Sequence, residues 1–500
     1  MLADRAGRCL FGVFCLLYLI TARGWVEVGD TWYSIRTSRA MLQRGRLDLL
    51  PDNSPTMPDG ETRGPDGRSY SKYGIGLPLI LLAPVACGHA VATDFKSVAE
   101  DSITGFLVSF VNVPFGLLTV AMFWRTARFF GARPAYANLL TVGLGLGSLC
   151  WRYAICDYSE AAQAALLLTA VYGCLRGHTR WTAAGGVAAA GLLLVKVVHV
   201  ALMPWLVIYL LSRQGQSWRE RTRQSVIFLV PLLTAATVLG TLNVLRFGNP
   251  LESGYGAEAE RFSFAQLPHT IPRLLLSLDK GLFVFSPIVV LGIAGLPSFI
   301  RRWPREAVLV AALVGTNLCL ASAWWSWIGG WSWGPRLLVP TLPLMLVPAV
   351  ALLPDPQPPR RYLIVAGLTL ISVAAQIPGV LVSNVMIEGI RDYLLSQEER
   401  EQMTPMYPAA VVALWHKIAV GTDVYPVSLF GVSGQRTVDA GALFSPRLRG
   451  FSIWTEQIAL WSRHPQVRWL PVPALLLAVF LAVRAARVMA SEVRAGPAAA

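Results

Sequence analysis

The chain has 500 residues, 54% hydrophobic and only 14% charged, where a soluble domain carries about a quarter charged residues; that balance excludes a water-soluble globular protein. The formal charge of +14 does not make it a nucleic-acid binder. Its arginines sit in short clusters between apolar runs that approach the ~20 residues needed to cross a bilayer, which is the distribution of the positive-inside rule.

Seven cysteines, Cys9, Cys15, Cys87, Cys150, Cys156, Cys174 and Cys319, lie in or beside apolar segments with no CxxC pair, so neither a metal site nor a disulfide framework is expected. Cys150 and Cys156 are close enough in sequence to pair, but buried free thiols suit an apolar setting better.

Arg5 and Arg8 ahead of CLFGVFCLLYLITA resemble a signal peptide or a signal anchor, and an uncleaved anchor is favoured because Thr21-Ala22-Arg23 is a poor small-residue cleavage site. With arginine clusters placed inside, the first span (9–23) runs outward and delivers GDTWYSIRTSRAMLQRGRL, from Gly29, to the outer face. A helix over Thr31–Arg44 puts Arg36, Arg39, Gln43 and Arg46 at spacings of three and four, hence on one cationic face. Trp32, Ile35 and Leu42 supply an apolar side, which suits a helix lying at the membrane surface beneath anionic head groups. Asp30, just before it, reads either as a functional carboxylate or as the helix N-cap.

A Pro/Gly/Asp-rich loop, PDNSPTMPDGETRGPDGR, leads to SYSKYGIGLPLI. Residues 75–92 read as a juxtamembrane or re-entrant helix, since a full crossing would put Arg125, Arg128 and Arg133 outside. Further spans follow at 103–124, 136–151, 160–175, two short ones in 183–211, then 225–245, 281–300, 306–323, 336–353, 361–383 and 468–486. The expected fold is an all-α integral membrane bundle of about 12 spans with every long loop outside. Its expected division is 1–383 as the main transmembrane unit (first outer loop 24–102), 384–466 as an outer polar segment, and 467–500 as a last span with a basic tail. No internal repeat appears, and the polar material lies on one side, which disfavours a transporter with a midplane site.

Breaking a glycosidic bond ordinarily needs two carboxylates, one to protonate the leaving alcohol. A sugar linked through phosphate needs less: one base for the acceptor hydroxyl, and cations to balance the departing phosphate. Asp30, Lys72, Arg36 and Arg39 form such an inventory, although Lys72 at the head of an interfacial helix also reads as a snorkelling residue. CWRYAICDYSE offers Asp157 and Glu160 as a second acid or acceptor site, or an Arg152–Asp157 ion pair. Lys196 and His199 fall between two short crossings, where Lys196 would meet a lipid phosphate or reach water. In AWWSWIGGWSWGPR, Trp325, Trp327 and Trp331 read as sugar-stacking residues or as an interfacial belt, and Arg336 as a head-group contact. HEXXH, P-loop and GxGxxG signatures are absent.

The first span, the acid, the YSIRTSRAML helix, the loop ending GRSYSKYGIGLPL, the ARFFGARP turn and the outer RYAICD, in this order over residues 9–345, resemble the GT-C superfamily of polytopic glycosyltransferases, in particular bacterial family 39-type enzymes related to protein O-mannosyltransferases and the lipid A aminoarabinose transferase. The resemblance implies a catalytic acid at Asp30, a donor-phosphate lysine at Lys72 and an outer acid at Asp157. Two departures stand out: members often have paired acids where this chain has GDTW, and an arginine where it has Tyr33. A lone Asp is a poor divalent site, so no metal or cofactor is expected. The implied activity is inverting transfer from a polyprenyl-phosphate-linked sugar, at the outer face of the cytoplasmic membrane, to a glycan, lipid or protein hydroxyl. A lipid-linked glycan flippase or a noncatalytic envelope-assembly protein are the alternatives.

Overall fold

The computed structural model describes residues 1, 4–49, 60–94, 99–352, 359–395, 409–421, 424–430, 437–443, 451–462 and 464–494. Most of the PDNSPTMPDG loop, the Pro-rich turn after the 336–353 span and parts of 384–466 therefore lie outside the described residues.

The chain is an all-α integral membrane protein. Its helices begin with α1 (Arg5–Thr21), capped by the Asp4 side chain on the Gly7 amide, and α2 (Gly29–Arg44), ended by Gly45 in the left-handed region. A small antiparallel ribbon, β1 (Glu61–Arg63) and β2 (Ser69–Ser71), pairs Thr62 with Tyr70 and leads into α3 (Gly76–Asp94). Then come α4 (Glu100–Val108), α5 (Val113–Phe129), α6 (Pro134–Leu146), α7 (Leu149–Ala154), α8 (Glu160–Arg176), α9 (Thr179–Val195), α10 (Met203–Leu211) and the 30-residue α11 (Trp218–Phe247). After these follow α12 (Leu267–Leu276), α13 (Leu282–Phe285), α14 (Val290–Arg302) and α15 (Pro304–Ala323). The remainder includes broken helix over 336–351, the long helix Pro359–Leu381, helix Asn384–Leu394, and the final helix Pro471–Arg494, which packs along α1.

Among the described residues six helices are long and apolar enough to cross a membrane: Gly76–Thr93, Glu100–Phe129, Trp218–Phe247, Pro304–Ala323, Arg360–Leu381 and Pro465–Val493. The expected count of about 12 also drew on shorter runs. Of these, α1, α8 and α9 have 17 residues each, about 25 Å of helix at ~1.5 Å per residue, the low end of what a bilayer core demands. Apolar side chains such as Val226, Val230, Leu233, Val238 and Leu245 stand exposed along α11, where lipid rather than water is the natural solvent. Residues 75–92 form α3, itself one of the six.

One main core runs through α5–α11 and α13–α15, and a smaller cluster of Val26, Ile35, Leu77, Leu81, Val85 and Val108 locks α2 onto α3 and α4. That cluster packs Ile35 and Trp32 of α2 against α3 and α4, while Leu42 stays exposed. All seven cysteines are free thiols, which settles the possible Cys150–Cys156 pair against a disulfide.

Candidate functional site

A cavity of about 530 Å³ opens where the start of α2, the β2–α3 turn, the start of α8, the end of α9, the end of α11 and the end of α15 converge. Its charged lining is Asp30, Lys72, Glu160, Lys196, Arg246, Glu258 and Arg336, with Tyr73, Tyr158, Tyr255, Trp324 and Trp325 as aromatic walls.

Asp30 lies in the first turn of α2, but it is not the cap: Val28 holds that position and makes no side-chain cap bond. What fastens the start of α2 is Asp157, in the turn before α8. Its two carboxylate oxygens accept from the amides of Glu27 (3.0 Å) and Val28 (3.2 Å), while Thr31 Oγ1 donates to its carbonyl at 3.1 Å. Asp157 is fully buried and not part of the cavity lining. Burial pushes its carboxyl up to about 7, with the nearby Glu27 charge adding to the rise against the lowering effect of its amide bonds. The ion pair suggested for Arg152 and Asp157 does not form. Arg152 is taken by Glu27 at 2.5 Å and by Asn384 at 2.9 Å, because Asp157 is committed to backbone amides.

Freed from capping, the Asp30 carboxylate accepts the Tyr73 hydroxyl at 2.7 Å. Burial, followed by the Asp30 charge, raises the Tyr73 phenol far above its ordinary range, so it remains a proton donor to Asp30. The two glycines of YGIG bring this tyrosine into place. A Cβ on Gly74 would lie 2.6 Å from the Leu194 and Val195 carbonyl oxygens, and one on Gly76 2.5 Å from the Val195 amide. The turn therefore rests directly on the end of α9, where Lys196 follows.

Lys72 Nζ meets Glu258 Oε1 at 2.5 Å and stands over the rings of Tyr73 and Tyr255. Gly254, with φ 84°, permits the approach, since a Cβ there would sit 2.9 Å from the Lys72 Cα. Arg246 steadies the same turn, donating to the carbonyls of Ser71 (3.3 Å) and Tyr73 (3.5 Å) and to Asn243 Oδ1 (2.8 Å).

Lys196 and Arg336 differ from these. Among the described residues neither side chain has a hydrogen bond or an acid within ion-pair distance. Lys196 lies within electrostatic reach of Glu160, Arg336 and Asp30, and Arg336 within reach of Glu160, Tyr158 and Asp30. The Arg336 guanidinium stacks 5.0 Å from the Tyr158 ring centre, and its Nε has no partner.

Of the residues singled out in the sequence, the cavity gathers Asp30, Lys72, Glu160, Lys196, Arg336 and Trp325. It does not gather Arg36, which bonds Glu61 at 2.7 Å, or Arg39, which meets Glu100 at 3.3 Å and Asp101 at 2.5 Å. Helical spacing aligned the two arginines, and acids from β1 and α4 occupied them. Trp327 is buried under Arg273, and Trp331 gives its carbonyl to Asn384 without lining the cavity. Among the described residues none after Leu337 lines the cavity, so the described part of 384–466 supplies no wall to it.

Sequence reasoning passed over Tyr73, Arg246, Tyr255 and Glu258. Tyr73 sits beside Lys72 and was within reach; the other three come from the end of α11 and the loop between α11 and α12, whose pairing with the β2–α3 turn is long-range. Among the described residues no group of three or more His, Cys, Asp or Glu comes together.

The assembled class is a polytopic helical membrane protein with one carboxylate, several cations and aromatic walls around a cavity at the helix ends. No family model matches the sequence, and no curated protein matches it. Among solved structures it is similar to ArnT from Cupriavidus metallidurans bound to undecaprenyl phosphate, at 16% identity, covering 97% of this chain and 77% of that one with a TM-score of 0.49. It is also similar to the oligosaccharyltransferase AglB from Archaeoglobus fulgidus, in complex with an inhibitory peptide and a dolichol-phosphate, at 11% identity, 74% and 54% coverage and a TM-score of 0.44. These likenesses are partial, and the chemistry has to come from the cavity itself.

Proposed function

We propose that the protein is a membrane glycosyltransferase that moves a sugar from a polyprenyl-phosphate donor to an acceptor hydroxyl. The observation that carries this reading is one cavity lined together by Asp30, held by the Tyr73 hydroxyl, and by Lys72, Lys196 and Arg336. In the reaction, the Asp30 carboxylate takes the proton of the acceptor hydroxyl, whose oxygen attacks the anomeric carbon. The bond from that carbon to the phosphate oxygen breaks, lipid phosphate leaves, and the anomeric configuration inverts.

The leaving phosphate gathers negative charge, and preorganised cations are what stabilise it. Lys196 and Arg336 are without an opposing acid at bonding distance and stand ready. Lys72 joins when phosphate displaces Glu258. The aromatic walls at Tyr255, Trp324 and Trp325 give the sugar faces to stack on. Asp30 is held by the Tyr73 hydroxyl, and the reading uses no divalent metal; transfer unchanged by EDTA is the matching expectation.

The sidedness rests on the helices themselves. In α8, α9, α11 and α15 the cavity residues lie at one end, while Arg176, Arg180, Arg219 and Arg305 lie at the other. With the positive-inside rule, this distribution supports a cavity on the outer face of the cytoplasmic membrane.

The test is glycosyl transfer by purified protein in lipid, supplied with radiolabelled polyprenyl-phosphate sugars and cell-envelope acceptors. Asp30→Asn should lower the rate by about 10²–10⁴-fold while its elution profile and melting midpoint stay those of the wild type. Equal rates would remove Asp30 from the chemistry.

A further inference from the structure

Glu160 is the one acid of the cavity to which the chemistry above gives no task. It opens α8, where a carboxylate is favoured by the helix dipole, but that effect operates equally well at an exposed position. Glu160 is instead 2% exposed, and its Oε2 has no hydrogen-bond partner. An unsatisfied buried carboxylate oxygen is costly to keep.

The polar side chains beside it are committed to one another. Gln163 donates to Ser159 Oγ at 2.8 Å, and its Oε1 lies 2.6 Å from His199 Nε2. Glu160 lines the cavity alongside Asp30, Lys196 and Arg336, and the two cations are within its electrostatic reach. They compensate its charge without satisfying its oxygen.

We infer that Glu160 is a specificity residue that accepts hydrogen bonds from the hydroxyl groups of the sugar being transferred. A carboxylate with a bare oxygen is an acceptor only, so the group it meets must donate. Because Lys196 and Arg336 already balance its charge, a neutral hydroxylated sugar suits the place better than a cationic one. The same two cations would hold the phosphate next to that sugar, so Glu160 reads the glycosyl unit at the atoms adjoining the cleaved bond. This inference rests on the polyprenyl-phosphate reading of the cavity.

The test separates the two. Binding of bare undecaprenyl phosphate and of undecaprenyl-phosphate mannose, glucose and arabinose is measured on the wild type and on Glu160→Gln, with melting midpoints alongside. The wild type should prefer at least one glycosylated lipid over the bare one. In Glu160→Gln that preference should fall roughly ten- to hundredfold, the weight of a hydrogen bond to a charged group, while affinity for the bare lipid changes less than about threefold.

Equal loss for both lipids, or loss for neither, would overturn the role of Glu160, as would a wild type that binds bare and glycosylated lipids alike. A wild type that binds neither would overturn the donor reading itself. Should the variant fail to fold, deoxy analogues of the preferred lipid, bound by the wild type, read the same contact: one missing hydroxyl should cost a similar factor, and an unchanged series counts against it.

Discussion

Asp279, Lys280, Glu388 and Arg391 are two acids and two bases buried where the turn before α13 meets helix Asn384–Leu394; Asp30, Glu160, Lys196 and Arg336 are two acids and two bases around the cavity. In the first group every charge has an opposite charge at ion-pair distance, although Asp279 Oδ1 and Arg391 Nε keep no hydrogen-bond partner. Lys280 reaches Glu388 at 3.0 Å, Arg391 reaches Asp279 at 2.8 Å, and Lys280 also donates to the Ser332 carbonyl, which ties the Trp-rich loop down. In the second group Asp30 is held by a tyrosine, and Glu160, Lys196 and Arg336 have no hydrogen bond among the described residues that satisfies their charge. Equal composition thus serves two ends. Charges that neutralise one another in the interior fix a loop, and charges left facing a void await a ligand.

That comparison is broken or sharpened first by removing one base from each group. Lys280→Met removes the nearer of the two cations on buried Glu388, leaving Arg391 at 3.5 Å, and should cost about 3 kcal/mol of stability, seen as a lower melting midpoint in detergent. Arg336→Met should cost only about 1 kcal/mol, the stacking on Tyr158, while lowering binding of lipid phosphate and the transfer rate at least ~tenfold. If the two variants behave alike, paired and ligand-facing charges are not distinct in this molecule.

Next in size, Tyr73→Phe removes the hydroxyl that holds Asp30. A drop in kcat of about tenfold with little change in KM is expected, and an unaltered kcat would make the tyrosine a wall residue only. The last test is a pH effect at Asp157. Its folded carboxyl titrates at about 7, above the ~3.9 of an unfolded Asp, so the native state binds the proton more tightly. Its contribution to stability is therefore full below about pH 4 and is lost as pH rises through about 7. Melting midpoints should fall over that window in the wild type, and the slope should flatten in Asp157→Asn.

The two acids of the RYAICDYSE stretch show how much of the site was legible. Both were visible as costly acids at the outer end of a span, but sequence does not say which points at a backbone and which at a void. Asp157 and Glu160 are three positions apart, and the turn before α8 sends the first to the amides of Glu27 and Val28 and the second to the cavity. Arg36 and Arg39 illustrate the converse. Their shared face follows from helical period, and their partners Glu61, Glu100 and Asp101 come from elements folded over them.

By itself the sequence determined that the protein is helical and membrane-embedded. Hydropathy and arginine placement act segment by segment, through the bilayer's demand for apolar length and satisfied backbone. It also set the period of α2, which is a short-range property. Only the tertiary structure decided which charges would be consumed by neighbours. Pairing Lys72 with Glu258, or bringing Arg246 beneath Tyr73, joins residues more than 170 positions apart, and such contacts depend on how helices pack, which no local pattern records.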